Sequence, residues 1–281
     1  MAEISAKDVA ALRKITGAGM MDCKKALEEN NGDIELAKDW LREKGIAGAA
    51  KRAGRDADQG AIEVTVQGTV GAVVELNCET DFVAKGDVFK EALSKLVAVV
   101  IAEGADDLAA KSIDGESVDD FVKGLSGKLG EKIEVGRLVR FESSDGLLDA
   151  YKHVQNERGT IGVLVELGGV DASSPEARDV AHEIALHISF AAPAYLTRDE
   201  VPDDVLARER EVLEAKSRNE HVPEDKIEGA VKGRLNGFYK EVVLLDQPSV
   251  KDPKVSIGKL LEGLGKGATV TRFARVKAGE E

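Results

Sequence analysis

The chain has 281 residues, enough for one to three domains and a sizeable core. Its 39 basic and 52 acidic side chains leave a formal charge of −13, which argues against broad contact with nucleic-acid phosphates or an anionic membrane surface. At 43% hydrophobic and 32% charged it is neither disordered nor membrane-embedded in composition, and with 4% aromatics its cores must be built from Val, Leu, Ile and Ala.

Cys23 and Cys78 are too few for a disulfide framework and lack a paired metal spacing, so both are expected to be buried, inert thiols. The first residues are charged and helical in pattern, without the apolar run of a secretion signal. No stretch approaches the roughly 18 apolar residues that cross a bilayer. The expectation is a soluble, cytoplasmic protein.

Residues 1–55 read as a small helical unit with its linker. Ser5 with Asp8 makes a capping pattern, and Val9, Leu12 and Ile15 recur at helical spacing. Thr16-Gly17-Ala18-Gly19 breaks that helix. A second starts near Met20 and carries Cys23, Ala26 and Leu27 up to the turn Asn30-Asn31-Gly32-Asp33. A third puts Ile34, Ala37, Trp40 and Leu41 on one face, and Gly45 is expected to stop it, leaving residues 45–55 as a flexible or partly helical linker.

From Gly60 the texture becomes strand-like. Ile62, Val64 and Val66 alternate with polar residues, a turn falls at Gln67-Gly68, and a second strand runs through Val73, Val74 and Leu76. An amphipathic helix follows, marked by Val88, Phe89, Ala92, Leu93, Leu96, Val97 and Val100. The pattern then returns: Gly68-Thr69-Val70-Gly71-Ala72-Val73-Val74-Glu75-Leu76 matches Gly159-Thr160-Ile161-Gly162-Val163-Leu164-Val165-Glu166-Leu167 at six of nine positions, at a constant offset of 91. A helix follows each copy, and strands at Gly136–Phe141 and Leu147–His153 precede the second. The predicted class is α+β, with two related half-domains of antiparallel sheet backed by helices, at residues 56–135 and 136–281. Within the second, residues 199–240 are charged and helical, with apolar stripes through Leu206, Leu213, Ile227, Val231, Leu235 and Phe238, which predicts an inserted antiparallel hairpin. Strand and helix texture resumes at Val242–Leu245, Ile257–Leu264 and Thr269–Val276.

Catalytic signals fail one by one. His182 and His187 stand five apart on a helix, which puts them about 140° out of phase, so they cannot share a metal as a zinc-protease helix would. Gly17-Ala18-Gly19 joins two helices and lacks the third glycine of a dinucleotide loop, and no phosphate-binding Gly-Lys-Ser/Thr loop occurs. Chemistry at a covalent centre is not expected, nor is a cofactor.

The repeat provides an internal control. After the second copy comes the small polar connection Gly168-Gly169-Val170-Asp171-Ala172-Ser173-Ser174. After the first comes Asn77-Cys78-Glu79-Thr80-Asp81-Phe82-Val83-Ala84-Lys85-Gly86-Asp87, which sets a phenylalanine and a valine among acidic residues. Phe82 either folds back onto the helix carrying Phe89 or stands out as a wedge for a partner.

Thr80-Asp81-Phe82-Val83-Ala84-Lys85 resembles the signature of the bacterial elongation factor Ts family. So do Leu12 through Leu27 in the helical unit, Asn31 through Ala37, and the strand Ile161–Val165, in the family's order. The resemblance implies an N-terminal ubiquitin-associated (UBA-like) domain, a core of two subdomains and a coiled-coil insertion used to form a homodimer. It implies guanine-nucleotide exchange on elongation factor Tu in translation elongation, bound both with GDP and without nucleotide. The loop would dislodge the nucleotide-bound magnesium of the partner so that GDP leaves and GTP binds, with Phe82 as wedge, Asp81 on the displaced helix, Thr80 as brace and Val83 as seat. Met20, Met21 and Lys24 resemble positions that touch the partner's nucleotide-binding domain, and Tyr151-Lys152-His153, His153 above all, a contact region on the second subdomain. Longer members carry a further C-terminal module, whose contacts are not carried over to this sequence. A non-catalytic adaptor is the alternative class. The charge divides unevenly: residues 1–55 sum to +2 and the remainder to −15, a distribution suited to protein partners.

Overall fold

The computed structural model describes residues 4–280. Helix α1 (Ala6–Thr16) starts with the expected capping box, Ser5 and Asp8 each accepting from the other's backbone N–H, and ends where Gly17 adopts a left-handed φ of 67°. Helices α2 (Met20–Glu29) and α3 (Ile34–Arg52) follow, the latter capped by Asp33. Val9, Leu12, Cys23, Ala26, Leu27 and Ala37 form a small core flanked by Trp40 and Leu41. Ile15 departs from expectation and is exposed.

Gly45 does not stop α3, which runs on to Arg52 through the expected linker. The glycine serves a close helix crossing instead. Gly45 meets Gly127 of a later helix, where a Cβ on Gly127 would sit 2.5 Å from the Gly45 Cα.

Strands β1 (Gln59–Gln67) and β2 (Val70–Cys78) pair antiparallel. A single turn α4 (Asp81–Ala84) leads into α5 (Asp87–Glu103). A two-residue ladder of β3 (Ser112–Ile113) and β4 (Glu116–Ser117) precedes α6 (Val118–Leu129), which crosses α3. Strand β5 (Ile133–Glu142) then pairs with β2, giving a first sheet in the order β1-β2-β5. The expected boundary at 135/136 thus falls inside a strand of the first sheet, and the two sheets divide between Glu142 and Leu147.

The second sheet repeats the plan with β6 (Leu147–Gln155), β7 (Arg158–Gly168) and β8 (Thr269–Lys277) in the order β6-β7-β8. Helix α7 (Pro175–Ala191) covers it as α5 covers the first. Between α7 and the short α10 (Ile257–Gly263) stands the hairpin of α8 (Asp203–Asn219) and α9 (Glu224–Val242), held by Leu213, Ile227, Val231 and Leu235. Both ends of the hairpin meet at one point, because Ala194 and Tyr195 N–H donate to the Val242 carbonyl at 2.9 and 3.0 Å. Val242–Leu245 is not a strand: α9 extends to Val242, and Val243 makes one isolated bridge to Tyr195.

The repeat strands β2 and β7 are central in their sheets, with both faces covered. One face of each packs on its helix layer; the other faces the opposite sheet through Ile62, Val64, Val73, Phe141, Leu148, Leu164 and Val276. Glu75 and Glu166, equivalent by the repeat, are buried. Glu75 accepts from the backbone N–H and Nε of Arg137 at 3.1 and 3.2 Å, and Glu166 from Nε of Arg272 at 2.6 Å. Each arginine then crosses to the other sheet, Arg137 donating to the Lys277 carbonyl and Arg272 to that of Glu142.

Gly127→Val is expected to unseat the helical module, since the contact is backbone and cannot yield; overpacking of this kind costs about 1–3 kcal/mol. Limited proteolysis should then cut near residues 53–58, between α3 and β1. Gly124→Ala, whose Cβ meets nothing within 4 Å, should leave the digestion pattern unchanged and raise the melting temperature slightly.

Candidate partner-docking site

The loop after β2, which differs from its counterpart in the second repeat, forms a braced turn. Thr80 caps α4, its Oγ1 accepting from the Val83 N–H at 3.3 Å. The same hydroxyl donates to Glu131 Oε1 at 2.6 Å, while Glu131 Oε2 accepts from the N–H groups of Glu79 and Thr80, each at 3.0 Å. In return Glu79 accepts from the Lys132 N–H at 2.6 Å and pairs with Arg55 at 3.0 Å. Its carboxyl is held below the ordinary range, chiefly by the Lys132 bond. Glu131, in the turn between α6 and β5, carried no signal in the sequence because its partners lie far away along the chain.

Within the turn the side chains divide. Ala84 is buried and Val83 is half-buried against the first core, so these two seat it. Phe82 points away and is 83% exposed, while Phe89 fills the core. The fold-back alternative is therefore not the arrangement adopted. Asp81 pairs with Lys85 one turn on at 2.5 Å, and that hydrogen bond holds its carboxyl below the usual range. Beneath the turn, Cys78 is buried and its thiol donates to the Thr80 carbonyl at 3.1 Å. Burial pushes this thiol up to about 12, which makes it a packing group and not a nucleophile.

The other expected positions lie on separate elements. Met20 and Met21 open α2 and are exposed, Met21 at 74%. Lys24 is exposed one turn further and pairs with Glu28 at 3.6 Å. Unbranched, polarizable methionines in the open are a common feature of adaptable protein contacts. His153 is exposed on β6, stacked beside Tyr151 with ring centroids 6.4 Å apart. Tyr151 also meets His182 edge-on at 6.0 Å, and His182 Nδ1 lies 3.0 Å from Asp149. Phe190, 81% exposed at the end of α7, was not anticipated. It shares a face with His182 and Leu186 at four-residue spacing, out of phase with the buried stripe Ala181, Ile184, Ala185 and Ile188, and that phase difference was readable.

The family model described as elongation factor TS matches residues 79–280, starting at the head of the braced turn. The chain is 44% identical to elongation factor Ts of Micrococcus luteus over 284 aligned residues, covering 99% of this chain and 100% of that one. It is 46% identical to elongation factor Ts of Saccharopolyspora erythraea over 285 residues, with both chains fully covered. This chain belongs to the elongation factor Ts family. The elongation factor Ts model match includes Thr80, Asp81, Phe82, Val83 and His153, whereas Met20, Met21 and Lys24 lie outside it, within the longer alignments to whole relatives.

Among the described residues no group of three metal-ligating side chains occurs, and no helix is long and apolar enough to cross a membrane. The two histidines of α7 do separate tasks. His187 is buried, with Nδ1 accepting from the Val250 N–H at 3.3 Å and Nε2 placed 2.8 Å from Gln247 Oε1. Burial lowers its pKa below the ordinary 6.5. The unfolded chain therefore takes up a proton that the folded chain refuses, so the stability this site contributes is complete above about pH 6.5 and is lost as pH falls below it. Thermal melts should show the parent losing more stability than His187→Gln between about pH 7.5 and about pH 5.5; equal losses would show that His187 takes no part.

Proposed function

We propose that the chain is a guanine-nucleotide exchange factor for elongation factor Tu, acting in the cytoplasm during translation elongation and catalysing no covalent chemistry. The observation that carries this reading is Phe82 held outward on a braced turn, in a chain of the elongation factor Ts family. In this reading Phe82 enters the GTPase beside its switch region and Asp81 contacts the helix that moves. Displacing that helix takes ligands from the partner's nucleotide-bound magnesium, GDP loses its bridge to the protein, and GTP can follow. Val83 keeps the turn seated, and Thr80 keeps it capped. Met20, Met21 and Lys24 supply a second contact on the nucleotide-binding domain, and His153 a third on another part of the partner.

Magnitudes support several contacts over one. Burying a phenylalanine contributes about 1.5–3 kcal/mol and a factor of ten requires about 1.4 kcal/mol, so the wedge accounts for about one to two decades of nucleotide weakening. The docking surfaces must supply the rest. Linkage makes the effect reciprocal: the factor weakens GDP by the same ratio by which GDP weakens the factor, so a nucleotide-free complex should persist until fresh nucleotide resolves it.

Phe82→Ala removes exposed surface only, so its melting temperature should match the parent. Release of a fluorescent GDP analogue from elongation factor Tu, followed by stopped flow, should slow by about 10- to 100-fold; release at the parent rate would sink the wedge.

Self-association through the hairpin is the second part of the proposal, against the plain reading of a solvated charged hairpin. Because its ends meet at Ala194–Tyr195 and Val242, residues 199–240 can be excised without pulling on the body. Light scattering should report a dimer for the parent and a monomer for the excised variant, and equal association states would reject the role.

A further inference from the structure

We propose that Glu131 is a positioning residue for exchange, holding the Asp81-Phe82 turn in the shape that the partner receives; this rests on the exchange reading above. The carboxylate makes three hydrogen bonds to two consecutive residues of the loop, the Glu79 and Thr80 N–H groups and the Thr80 hydroxyl, at 3.0, 3.0 and 2.6 Å. One of those groups, Thr80 Oγ1, is also the cap of α4. A lone turn of four residues cannot sustain itself in water, since helix nucleation is unfavourable and its stability must come from tertiary contacts. Val83 and Ala84 anchor its inner side, but Asp81 and Phe82 face outward and gain nothing from the core. The orientation of the outward pair therefore depends on the hydrogen bonds at the entrance to the turn.

Glu131 is itself held. Its carbonyl accepts from Ser126 Oγ at 2.5 Å, and the same hydroxyl accepts from Arg52 Nε of α3 at 3.2 Å. Glu79 closes the arrangement from the opposite side through the Lys132 N–H and Arg55. Two carboxylates thus grip each other's backbone segments, while Arg52 at the end of the helical module bonds to Ser126 and Arg55 in its connection pairs with Glu79. Charge-assisted bonds to backbone N–H groups are short and strong. A turn fixed in advance spares the complex the cost of ordering it at the moment of docking.

The test uses the full chain with elongation factor Tu bound to a fluorescent GDP analogue, at saturating factor. Glu131→Ala is expected to slow GDP release by at least ~10-fold, because three charge-assisted bonds disappear together. Glu131→Gln, which keeps one acceptor oxygen, should fall between it and the parent. Amide hydrogen exchange at Thr80 and Val83 should rise in Glu131→Ala while that of α5 stays as in the parent. The double variant Glu131→Ala with Phe82→Ala should release GDP no more slowly than Phe82→Ala alone, since both losses act through one wedge. Losses that simply multiply would overturn the positioning role. Parent-rate release by Glu131→Ala, beside an impaired Phe82→Ala, would overturn it while leaving the exchange reading intact. Parent-rate release by Phe82→Ala would overturn the exchange reading and this role with it.

Discussion

Each central strand carries a glycine that makes room for a side chain of the other. A Cβ on Gly71 of β2 would lie 2.9 Å from Leu164 of β7, and a Cβ on Gly162 of β7 would lie 2.9 Å from Val73 of β2. The offset that relates Gly71 to Gly162 also relates Val73 to Leu164, so the contact is its own mirror under the repeat. Around it the Glu75–Arg137 and Glu166–Arg272 pairs repeat the same relation, each arginine reaching across to the far sheet. Buried carboxylates are tolerable only when paired, and removing the partner of one is destabilising because it leaves a buried charge less compensated. The two halves are therefore locked at one distance and one angle by packing and charge together. The turn after β2 and the aromatic group on β6 are both carried on that lock.

The lock is symmetric, and the candidate site is not. After β7 the connection closes on itself, Asp171 Oδ1 accepting from the N–H and hydroxyl of Ser173 at 2.8 and 2.7 Å. After β2 the equivalent stretch inserts α4, exposes Phe82 and takes its bracing from Glu131. The scaffold needs no phenylalanine there, as its own second copy shows. A side chain that the fold can do without, held in a fixed orientation by four hydrogen bonds at the entrance to the turn, is the part of the structure that points outward to a partner.

Local order was legible in the sequence wherever the deciding neighbours were close along the chain. The capping of α1, the buried set Cys23, Ala26 and Leu27, the first hairpin and the stripe of α9 all followed from spacing. Three features escaped for one reason, that a distant segment decided them. Gly45 reads as a helix stop because the backbone that needs its missing Cβ belongs to Gly127 on another helix. The strand near residue 136 reads as the start of the second half because its partner, β2, precedes it by three helices. Val242–Leu245 reads as a strand from its β-branched residues, yet only Val243 finds a strand-like partner. In the site, the outward Phe82 was legible as one of two alternatives from the comparison of repeat loops, whereas Glu131, which orients it, looked like any exposed acid in a turn.

The chain's single tryptophan, Trp40, lies half-buried against the small core of the helical module, with the Lys44 ammonium 5.1 Å from the ring centre. Its indole emission consequently samples that module and nothing of the two sheets. The protein is thus built with an optical probe confined to one of its parts, so that displacement of the module registers in the spectrum while rearrangement of the sheets passes unseen.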